Sequence, residues 1–571
     1  MTLDLILYNA QIADVFRLRF FTGWVGIREG HFAFVEEGVP PEEFSASVRQ
    51  DVNGLILAPG LVESHMHIES SLITPRRFAE TVLPYGTTTI LSDPHEVGNV
   101  AGEQGVRWMF AASHNLPLKI YHAIPSCVPA TDAEFEWTGQ VFNADVITRL
   151  ADDPSVIALG EVMDYRGLMG DNERLQAIVR AAWRAGLMVE GHIPTLRGPE
   201  LSAYLEHGVG SDHTLTYPDK IEEQISKGLA VMLQTKSITP ENMATVMNLP
   251  DRSRVFLVTD DLEPPLLIEG HLSRIVQLAI QHNLPPLEAW ASSSIRPARY
   301  LGLRNTGGIA PGFCADFVLM RDLAGFPPEA VYVDGERIAQ QGSITPVLWP
   351  DLPPLPADYA VPGPLEPEAF RLTPAQTETT SVIANVVVIQ NTLTTLTQLE
   401  QISVTVDHDG NPVFEDGDAL ALASIFARDG SSQMVGIIKN TGLAAGAFAS
   451  TVAHDCHNLL VIGRDAVSMS RAAQEVHAMG GGVAVARGDD LLASLPLPYF
   501  GLLSDAPVPE VAQKLEAIEM ALHGLGMIHQ RPFLLLSIMS LSVSPFVKFT
   551  DRGVIDTELR QLLPTWAYPS P

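Results

Sequence analysis

Two histidines separated by one residue, His65 and His67, form the strongest chemical signal in the sequence. They end the apolar run that starts at residue 55, and residues 55–65 are typical of a single β-strand, in which alternate residues share a face and lie about 7 Å apart. Both imidazoles can therefore point to one side and bind a cation between them. The competing interpretation is a pair of ordinary histidines, one of them in a loop, and so short a motif does not decide between the two.

Further side chains that bind metals follow other apolar runs. Glu161 comes after ALG, His192 after MVEG, His213 after GSD and Asp260 after FLVT. In a barrel of parallel strands, the C-terminal ends of the strands meet at one rim, where active sites form. Taken singly, each residue could have a purely structural role in core packing, solvation or helix capping. Such roles do not explain why four histidines and two carboxylates lie at equivalent positions on five strands. The set therefore predicts a metal site.

The ligand types restrict the metal. Imidazole and carboxylate without thiolate suit zinc, manganese or iron(II). Six ligands are too many for one four-coordinate ion with an open position. They suffice for two ions about 3.5–4 Å apart that are bridged by a carboxylate and a hydroxide. Glu161, on the strand opposite the first, is the natural bridging residue.

Eight strand-like runs alternate with helical stretches between residues 58 and 305. Helical segments such as 171–186 and 198–208 each close on glycine, which is a common residue at a helix C-terminus. This alternation predicts an α/β fold, a (β/α)8 TIM barrel that carries the catalytic site. A doubly wound open sheet is the alternative, but no GxGxxG sequence opens any of its helices.

The chain outside the barrel divides into three further parts. Short strands in residues 1–57 and 306–345 are expected to pair into one composite β-domain. Eight prolines between residues 346 and 367 predict an extended linker, assigned to 346–370, because proline interrupts central strands and helices. Residues 371–571 again alternate strand-like and helical runs, which predicts a C-terminal α/β or α+β domain.

Composition excludes several classes of protein. The chain has 36 Lys+Arg and 67 Asp+Glu, and 36 − 67 gives a net charge of −31, which disfavours a nucleic acid or an anionic membrane as partner. Three distant cysteines without a CxxC motif exclude a disulfide scaffold and a multi-cysteine zinc site. The apolar stretch 533–547 is too short and too rich in serine to span a bilayer. Since no basic segment precedes an apolar run near Met1, a cytoplasmic location is expected.

Motifs along nearly the whole chain resemble the adenine deaminases of the amidohydrolase superfamily. Those in the barrel are SHMHIESS, GTTTILSDPHEVGNV, SCVPA, GEVMDY, GHIP and TDD, and later ones are GGIAPGFCADFVL, TVAHDCHNLLVIGR and LPLPYFGLLS. The matches run in order from about residue 3 to residue 550. The resemblance implies hydrolysis of adenine to hypoxanthine and ammonia, in adenine catabolism or purine salvage. It also implies a binuclear metal centre, usually described with manganese or iron.

The resemblance also implies a role for each of the six ligands. His65, His67 and Asp260 would bind one ion, His192 and His213 the other, and Glu161 would bridge them. The expected cofactor is two divalent ions, with manganese ahead of iron or zinc. A metal-bridging hydroxide would attack the substrate, and Asp260 would be the proton shuttle, because a carboxylate beside such a hydroxide can act first as base and then as acid.

Five more residues at the strand ends are candidates for contact with the substrate. Glu96 is the catalytic candidate, since a proton donated to a ring nitrogen would make C6 more electrophilic. The alternative for Asp93 and Glu96 is to cap a helix that starts near residue 97. His95 is either a group beside the ligands or a further ligand, Glu69 is expected to orient a ligand, and Lys236 is a candidate substrate contact.

Two sequences at the rim depart from the family pattern. Residues 213–215 read His-Thr-Leu instead of His-Glu-Ser, and residues 234–237 read Gln-Thr-Lys-Ser instead of Arg-Glu-Gly-Ser. Both loops face the substrate, so a modified adenine or another amino-heterocycle stays open. A cyclic-amide hydrolase on the same barrel is a further alternative, although such enzymes often bridge their metals with a carboxylated lysine. A non-catalytic binding or assembly protein is the last, and the intact ligand set argues against it.

The C-terminal motif 454–458, His-Asp-Cys-His-Asn, is interpreted as a structural or rim motif rather than as a second metal or nucleophile site. Cys456 has no basic run nearby that would lower its thiol pKa. The other class of nucleobase deaminases needs a Pro-Cys-x-x-Cys zinc signature, which this chain lacks, so deamination must use the barrel. We expect a small-molecule purine as the partner, neither nucleic acid nor membrane, and a homo-oligomer is compatible with the sequence.

Overall fold

The structure is a computed structural model that describes residues 2–170, 172–356, 359–372, 380–391, 394–408, 412–414 and 419–567. Within these ranges no helix is long and apolar enough to cross a bilayer. The chain begins with five strands, β1 (Thr2–Asp14), β2 (Arg19–Arg28), β3 (His31–Glu37), β4 (Ser45–Asp51) and β5 (Ile56–Pro59). Strand β1 pairs antiparallel with β2 and parallel with β4 and β5.

Eight parallel strands follow and form the barrel. They are β6 (Leu61–Met66), β7 (Thr87–Ser92), β8 (Lys119–Ile124), β9 (Val156–Val162), β10 (Met188–Gly191), β11 (Ser211–Asp212), β12 (Ala230–Leu233) and β13 (Val255–Leu257). Strands β6–β10 form one sheet and β11–β13 a second. A bond from Gly210 N to Val189 O (2.9 Å) and a bridge between Met66 and Asp260 join the two sheets. The predicted TIM-barrel fold class is confirmed.

Twelve helices surround these strands. They are α1 (Pro75–Val82), α2 (His95–Ser113), α3 (Ala144–Leu150), α4 (Tyr165–Met169), α5 (Glu173–Arg184), α6 (Gly198–Glu206), α7 (Pro218–Ser226), α8 (Pro240–Asn248), α9 (Pro264–Leu267), α10 (Leu272–Gln281), α11 (Pro286–Ala291) and α12 (Ile295–Tyr300). Asn143, Asn172 and Thr239 cap α3, α5 and α8 with their side chains, as short polar residues at this position favour.

The chain then returns to the first sheet with β14 (Phe317–Met320), β15 (Ala330–Val333), β16 (Glu336–Gln340) and β17 (Ser343–Ile344). Strand β14 pairs antiparallel with β5, so strands from before and after the barrel build one nine-stranded sheet. The apolar run 55–65, expected to be one strand, is two: β5 belongs to this sheet and β6 to the barrel. The chain crosses between them at Gly60, where a Cβ atom would lie 2.2 Å from Thr88 Oγ1.

The described part of segment 346–366 contains neither helix nor strand. It nevertheless lies against the rest of the protein. Trp108 Nε1 donates to Pro353 O (3.0 Å), and the Tyr359 hydroxyl donates to Pro498 O (2.9 Å). The proline-rich segment therefore packs between the barrel and the C-terminal part of the chain.

The C-terminal part is an eight-stranded sheet with helices and a small three-stranded sheet. Its strands are β18 (Ser381–Ile389), β19 (Thr397–Thr405), β20 (Leu420–Phe426), β21 (Gln433–Lys439), β22 (Ala447–Ser450), β23 (Leu459–Gly463), β24 (Gly482–Arg487), β25 (Asp490–Pro496), β26 (Val547–Thr550), β27 (Gly553–Asp556) and β28 (Gln561–Leu563). Its helices are α13 (Ala466–Ala478), α14 (Val508–Gly524) and α15 (Pro532–Ser537). The order in the large sheet is β19-β18-β21-β20-β23-β22-β24-β25.

One apolar core joins the barrel to this C-terminal part. It runs from Phe78 in α1 and Trp108 in α2 to Phe500 and to Leu515 in α14. The rings of Trp108 and Phe500 meet edge to face, with centroids 5.1 Å apart. The two parts therefore share buried apolar surface, which holds the C-terminal part against the barrel.

Candidate metal centre

The six predicted ligands meet at the C-terminal rim of the barrel. His65 lies in β6 and His67 directly after it, while Glu161 lies in β9. His192 follows β10, His213 follows β11, and Asp260 lies just beyond β13. Except for the side chains of His192 (30% exposed) and Asp260 (14%), all are nearly fully buried. The structure thus brings together ligands that are spread over about 200 positions of the chain.

Glu161 occupies the middle of the group. Its Oε1 lies 3.2 Å from His67 Nε2, whereas its Oε2 lies 2.7 Å from His192 Nδ1 and 3.3 Å from His213 Nε2. Burial alone would raise the pKa of Glu161, but the three histidines, His213 foremost, hold it well below its usual range. The carboxylate is therefore ionised, and its two oxygens face two different sets of imidazoles, as a bridging ligand requires.

Asp260 adopts a left-handed backbone conformation (φ +59°), which is uncommon outside glycine and clusters at functional sites. Its Oδ1 lies 3.6 Å from His65 Nε2 and 3.7 Å from His67 Nε2. Its Oδ2 accepts a hydrogen bond from Gln234 Nε2 (2.9 Å). Burial opposes ionisation, yet His213 and His65 lower the pKa of Asp260 below its usual range.

The arrangement fits divalent metal ions. His65, Glu161 and His213, and likewise His65, His67 and Asp260, have ligand atoms within 4.8 Å of one another. His65 Nε2 is buried and has no hydrogen-bond partner in the described ranges. Buried polar atoms are rarely left unpaired, and coordination to an ion would satisfy this one. The donor set of imidazole and carboxylate suits zinc, manganese or iron(II).

A buried carboxyl group that the sequence interpretation missed ties two of these strands together. Glu63 in β6 accepts bonds from His65 N (3.1 Å) and from the Thr259 N and Oγ1 atoms (both 2.9 Å). Burial raises the pKa of Glu63 to about 8. It links the start of the His65–His67 pair to the residue before Asp260. An acidic residue inside an apolar run was the only signal for it in the sequence.

Asp93 supports the centre rather than a helix. Its main-chain O lies 3.0 Å from His67 Nδ1, and its Oδ2 accepts a bond from Glu161 N (3.1 Å). Helix α2 begins at His95 after Pro94, with no side-chain capping bond. Within the described ranges, the side chains of Asp93 and Glu96 accept no hydrogen bond from the helix backbone; instead Glu69 Oε1 accepts from Val97 N (3.4 Å).

Glu96, Glu69 and His95 lie beside the ligands. Burial raises the pKa of Glu96, and burial together with Glu96 raises the pKa of Glu69 to about 8. The ring of His95 meets that of His67 with centroids 4.6 Å apart, and its nitrogens lie 3.8 Å from Asp93 Oδ1 and from Asp455 Oδ1. Asp455 belongs to the C-terminal motif 454–458, which the structure brings to this site.

A cavity of about 190 Å³ lies over the ligands. His67, Glu161 and Asp260 form its polar floor, and the C-terminal part contributes an apolar cover that includes Phe533 and Ile538. Lys236 lies exposed at its edge. Most of the lining side chains are polar or ionisable, and polar groups that converge on one cavity are typical of a small-molecule site.

The two departures from the family pattern have different surroundings. Thr214 is not among the residues that line the cavity; its hydroxyl contacts Asp212 (2.8 Å) and Lys220 Nζ (2.8 Å) in a buried ion-paired group. Gln234 does line the cavity, and it donates to His213 O (3.0 Å) as well as to Asp260. Only the strand-seven departure therefore faces the site.

Comparison with known proteins places this site in a family context. Residues 56–338 match the Amidohydrolase family, and residues 394–561 match the Adenine deaminase C-terminal domain. The chain is 38% identical over 563 residues to an adenine deaminase of Nitratidesulfovibrio vulgaris strain Hildenborough. The aligned region covers 97% of this chain and 95% of that protein. It is 35% identical to adenine deaminase 2 of Carboxydothermus hydrogenoformans, over 98% of this chain and 96% of that protein. The adenine deaminase of Halalkalibacterium halodurans is 33% identical, over 97% and 94%.

Proposed function

The chain belongs to the adenine deaminase family and carries an amidohydrolase domain, and on that premise we propose that it hydrolyses adenine to hypoxanthine and ammonia. It is a hydrolase that acts on carbon–nitrogen bonds. The observation that supports the proposal best is Glu161, whose two oxygens face His67 on one side and the His192–His213 pair on the other. Such a centre beneath a cavity of about 190 Å³ suits attack by water on a small heterocycle.

The proposed ligands divide between two ions. His65, His67 and Asp260 would hold one ion, His192 and His213 would hold the other, and Glu161 would contribute to both. When bound, the ions act as Lewis acids that lower the pKa of a coordinated water. Manganese is proposed ahead of iron or zinc because of the family resemblance, while the ligand types suit all three.

Asp260 moves the proton in this proposal. Water adds to C6 of adenine, and Asp260 takes the proton that this water releases. The same carboxyl group then delivers the proton to the exocyclic nitrogen, the C6–N6 bond breaks, and ammonia leaves. Because Gln234 holds Oδ2 of Asp260 at 2.9 Å while Oδ1 faces the ligands, one carboxylate can act as base and then as acid without turning.

Glu96 is proposed to donate a proton to a ring nitrogen, which makes C6 more electrophilic, and to take back the proton of the C6 hydroxyl group as ammonia leaves, so that neutral hypoxanthine forms and the glutamic acid is restored. It is almost fully buried, and burial raises its pKa, so the carboxyl group retains a proton under conditions in which an exposed glutamate is ionised. Asp93 holds Glu161 in place, because Asp93 Oδ2 accepts a hydrogen bond from the main-chain N–H of Glu161. His95, Glu69 and Lys236 are proposed to bind the heterocycle or to orient these groups.

A modified adenine is the second candidate substrate. Gln234 and Lys236 line the cavity at the rim where the sequence departs from the family pattern. A substituent on the amino group would lie close to this rim, since that group must approach Asp260. The proposal therefore includes N6-substituted adenines as alternative substrates.

The remaining parts of the proposal concern the molecule as a whole. The proposed domains are the composite β-domain of residues 1–57 and 306–345, the catalytic barrel 58–305, the linker 346–370 and the C-terminal domain 371–571. The first boundary moves to Gly60, because β5 (Ile56–Pro59) pairs in the composite sheet. The three cysteines are free thiols, which suits the reducing cytoplasm, and a homo-oligomer is compatible with the proposal.

The experiment is an assay of protein loaded with Mn(II). Adenine and N6-methyladenine are offered separately, ammonia release and the change in purine absorbance are followed, and bound metal is counted by mass spectrometry. We expect two metals per chain and turnover of adenine. Turnover of N6-methyladenine but not of adenine would make the substituted adenine the substrate. Fewer than two metals per chain would contradict the two-ion centre. Two metals per chain without turnover of either purine would reject the proposed deaminase activity.

A further inference from the structure

The C-terminal motif 454–458 lies in the loop between β22 and β23 and reaches the barrel beside Glu96. His457 is fully buried, and its Nε2 lies 3.4 Å from Glu96 Oε2. His454 Nδ1 lies 3.8 Å from Glu96 Oε1. A domain that is separate in sequence from the barrel thus supplies two imidazoles to the proposed proton donor.

The tautomer of His457 follows from its surroundings. Ala453 N donates a hydrogen bond to His457 Nδ1 (3.2 Å), so the ring proton must reside on Nε2. Burial, together with His454 and Arg428, holds the pKa of His457 well below its usual range. The imidazole is therefore neutral, and its Nε2 atom lies 3.4 Å from Glu96 Oε2.

The loop that carries His457 is held in place from both parts of the protein. The buried Arg428 donates from Nε to His457 O (2.6 Å), and Cys456 Sγ donates to Oε2 of Glu136 in the barrel (2.9 Å). His457 itself has a left-handed backbone (φ +53°). An uncommon backbone conformation persists only where the surroundings fix it, so the main chain that carries the ring is held in place.

The other oxygen of Glu96, Oε1, lies beside a hydroxyl group that can accept a hydrogen bond. Ser70 Oγ lies 2.5 Å from Asp261 Oδ1 and 3.3 Å from Glu96 Oε1. A hydroxyl has a single proton to donate, and the shorter contact to Asp261 takes it. Ser70 can then accept from Glu96 Oε1, which requires the acid proton of Glu96 to be on Oε1.

We propose that His457 is a positioning residue for Glu96: it donates Nε2–H to Oε2, which leaves the acid proton on Oε1. The C-terminal domain thereby fixes which oxygen of Glu96 protonates the substrate. The inference rests on the proposed deaminase function. Neither His457 Nε2 nor Glu96 Oε2 has a hydrogen-bond partner in the described ranges, and catalytic hydrogen bonds that are long in an empty site often shorten when the substrate binds.

A third metal ion is the competing occupant. The ligand atoms of Glu96, His454 and His457 lie within 4.8 Å of one another. An ion bound there would take the place of the proton on His457 Nε2. The two arrangements differ in the number of metals per chain, so a metal count is part of the test.

The test compares two substitutions of His457 in the full-length, Mn(II)-loaded protein. In His457→Gln, the side-chain amide can place its nitrogen near the position of Nε2 and donate to Glu96. In His457→Asn, the shorter amide reaches only the position of Nδ1. We expect His457→Asn to lower kcat roughly 10- to 100-fold, a part of what a general acid contributes, with KM within about threefold, and we expect His457→Gln to recover most of it.

A double-mutant cycle then asks whether His457 acts through Glu96. In a Glu96→Gln background, His457→Asn should cause no further loss, because coupled residues are not additive. His477→Asn in α13 is the control. Within the described residues, the side chain of His477 makes one hydrogen-bond contact, between Nδ1 and Val361 O (3.1 Å), which lies outside the proposed site. We expect this control to keep the kcat of the wild type.

Several results would overturn the proposal. One is an equal loss of kcat in the His457→Asn and His457→Gln variants, and another is a loss of kcat from His457→Asn that multiplies with the loss from Glu96→Gln. A third is a third metal ion in the wild type that both His457 variants lack. Wild-type turnover of adenine with an unaffected His457→Asn variant would reject the positioning role alone. A wild type that turns over no purine would reject the deaminase function itself.

Discussion

Asp260 carries the largest share of the proposed chemistry in a single side chain. Asp260→Asn should retain most of the bound metal, because five other ligands remain, but an amide cannot take up and return a proton. We expect kcat to fall by roughly 10²- to 10⁴-fold, the usual contribution of a general acid–base group. Metal content and kcat are measured together, with the exposed Asp489→Asn as the matched control. Unchanged turnover in the Asp260 variant, with both metals bound, would show that another group is the shuttle.

The sequence predicted which residues would meet at the rim far better than it predicted the residues that hold them. Each of the six predicted ligands follows a short strand-like run, so its position at a strand end could be inferred from local spacing. Glu63 could not be found in this way, because its partner Thr259 is 196 positions away. The bond from Gln234 to Asp260 likewise depends on which strands are neighbours. The assignment of the six ligands to two ions remains a prediction.

At the scale of the elements, β9 and the turn after β7 position each other through one glycine. A Cβ atom at Gly160 would lie 2.0 Å from Asp93 Oδ2, the oxygen that accepts the bond from Glu161 N. Gly160→Ala should therefore displace Asp93 and Glu161, lower metal occupancy and destabilise the protein by about 1–3 kcal/mol, the usual cost of overpacking. Melting temperature and metal content provide the measurement.

Gly524→Ala is the control for this substitution. It lies at the end of α14, and a Cβ atom there would meet nothing within 4 Å. We expect its metal content to match that of the wild type and its melting temperature to equal or slightly exceed it, because alanine favours a helix more than glycine does. If Gly160→Ala also bound two metals and melted normally, Asp93 would not be needed to hold Glu161.

The periodicity of the sequence predicted elements well where they are long and regular. Eight strands alternating with helices were recognised because most of the buried strands lie in short runs rich in apolar and β-branched residues. The division of residues 55–65 between β5 and β6 was missed, because both halves are apolar and only tertiary contacts separate them. Strand β11 has two residues and β13 three, so their ends could not be read from spacing.

For the whole molecule, the sequence indicated separate parts but not how they contact one another. Ion pairs join the barrel to the C-terminal part, among them Arg560 with Asp164 (2.7 Å) and with Asp132 (2.6 Å). Phe78, Trp108, Phe500 and Leu515 belong to one apolar core. Contacts between residues hundreds of positions apart leave no periodic signal in a single sequence. The motif 454–458 was noticed for its residue types, yet its place beside Glu96 emerged only from the fold.

The shared core predicts that metal binding stabilises the entire chain. A ligand that binds only the folded state adds about 4 kcal/mol at 1,000 times its Kd. Because the barrel and the C-terminal part share one core, both should unfold together, and chelation should lower a single calorimetric transition by several degrees. His67→Asn, which removes a ligand, should melt at the lower temperature with or without chelator. Two transitions, of which chelation shifts only one, would show that the C-terminal part unfolds independently of the barrel.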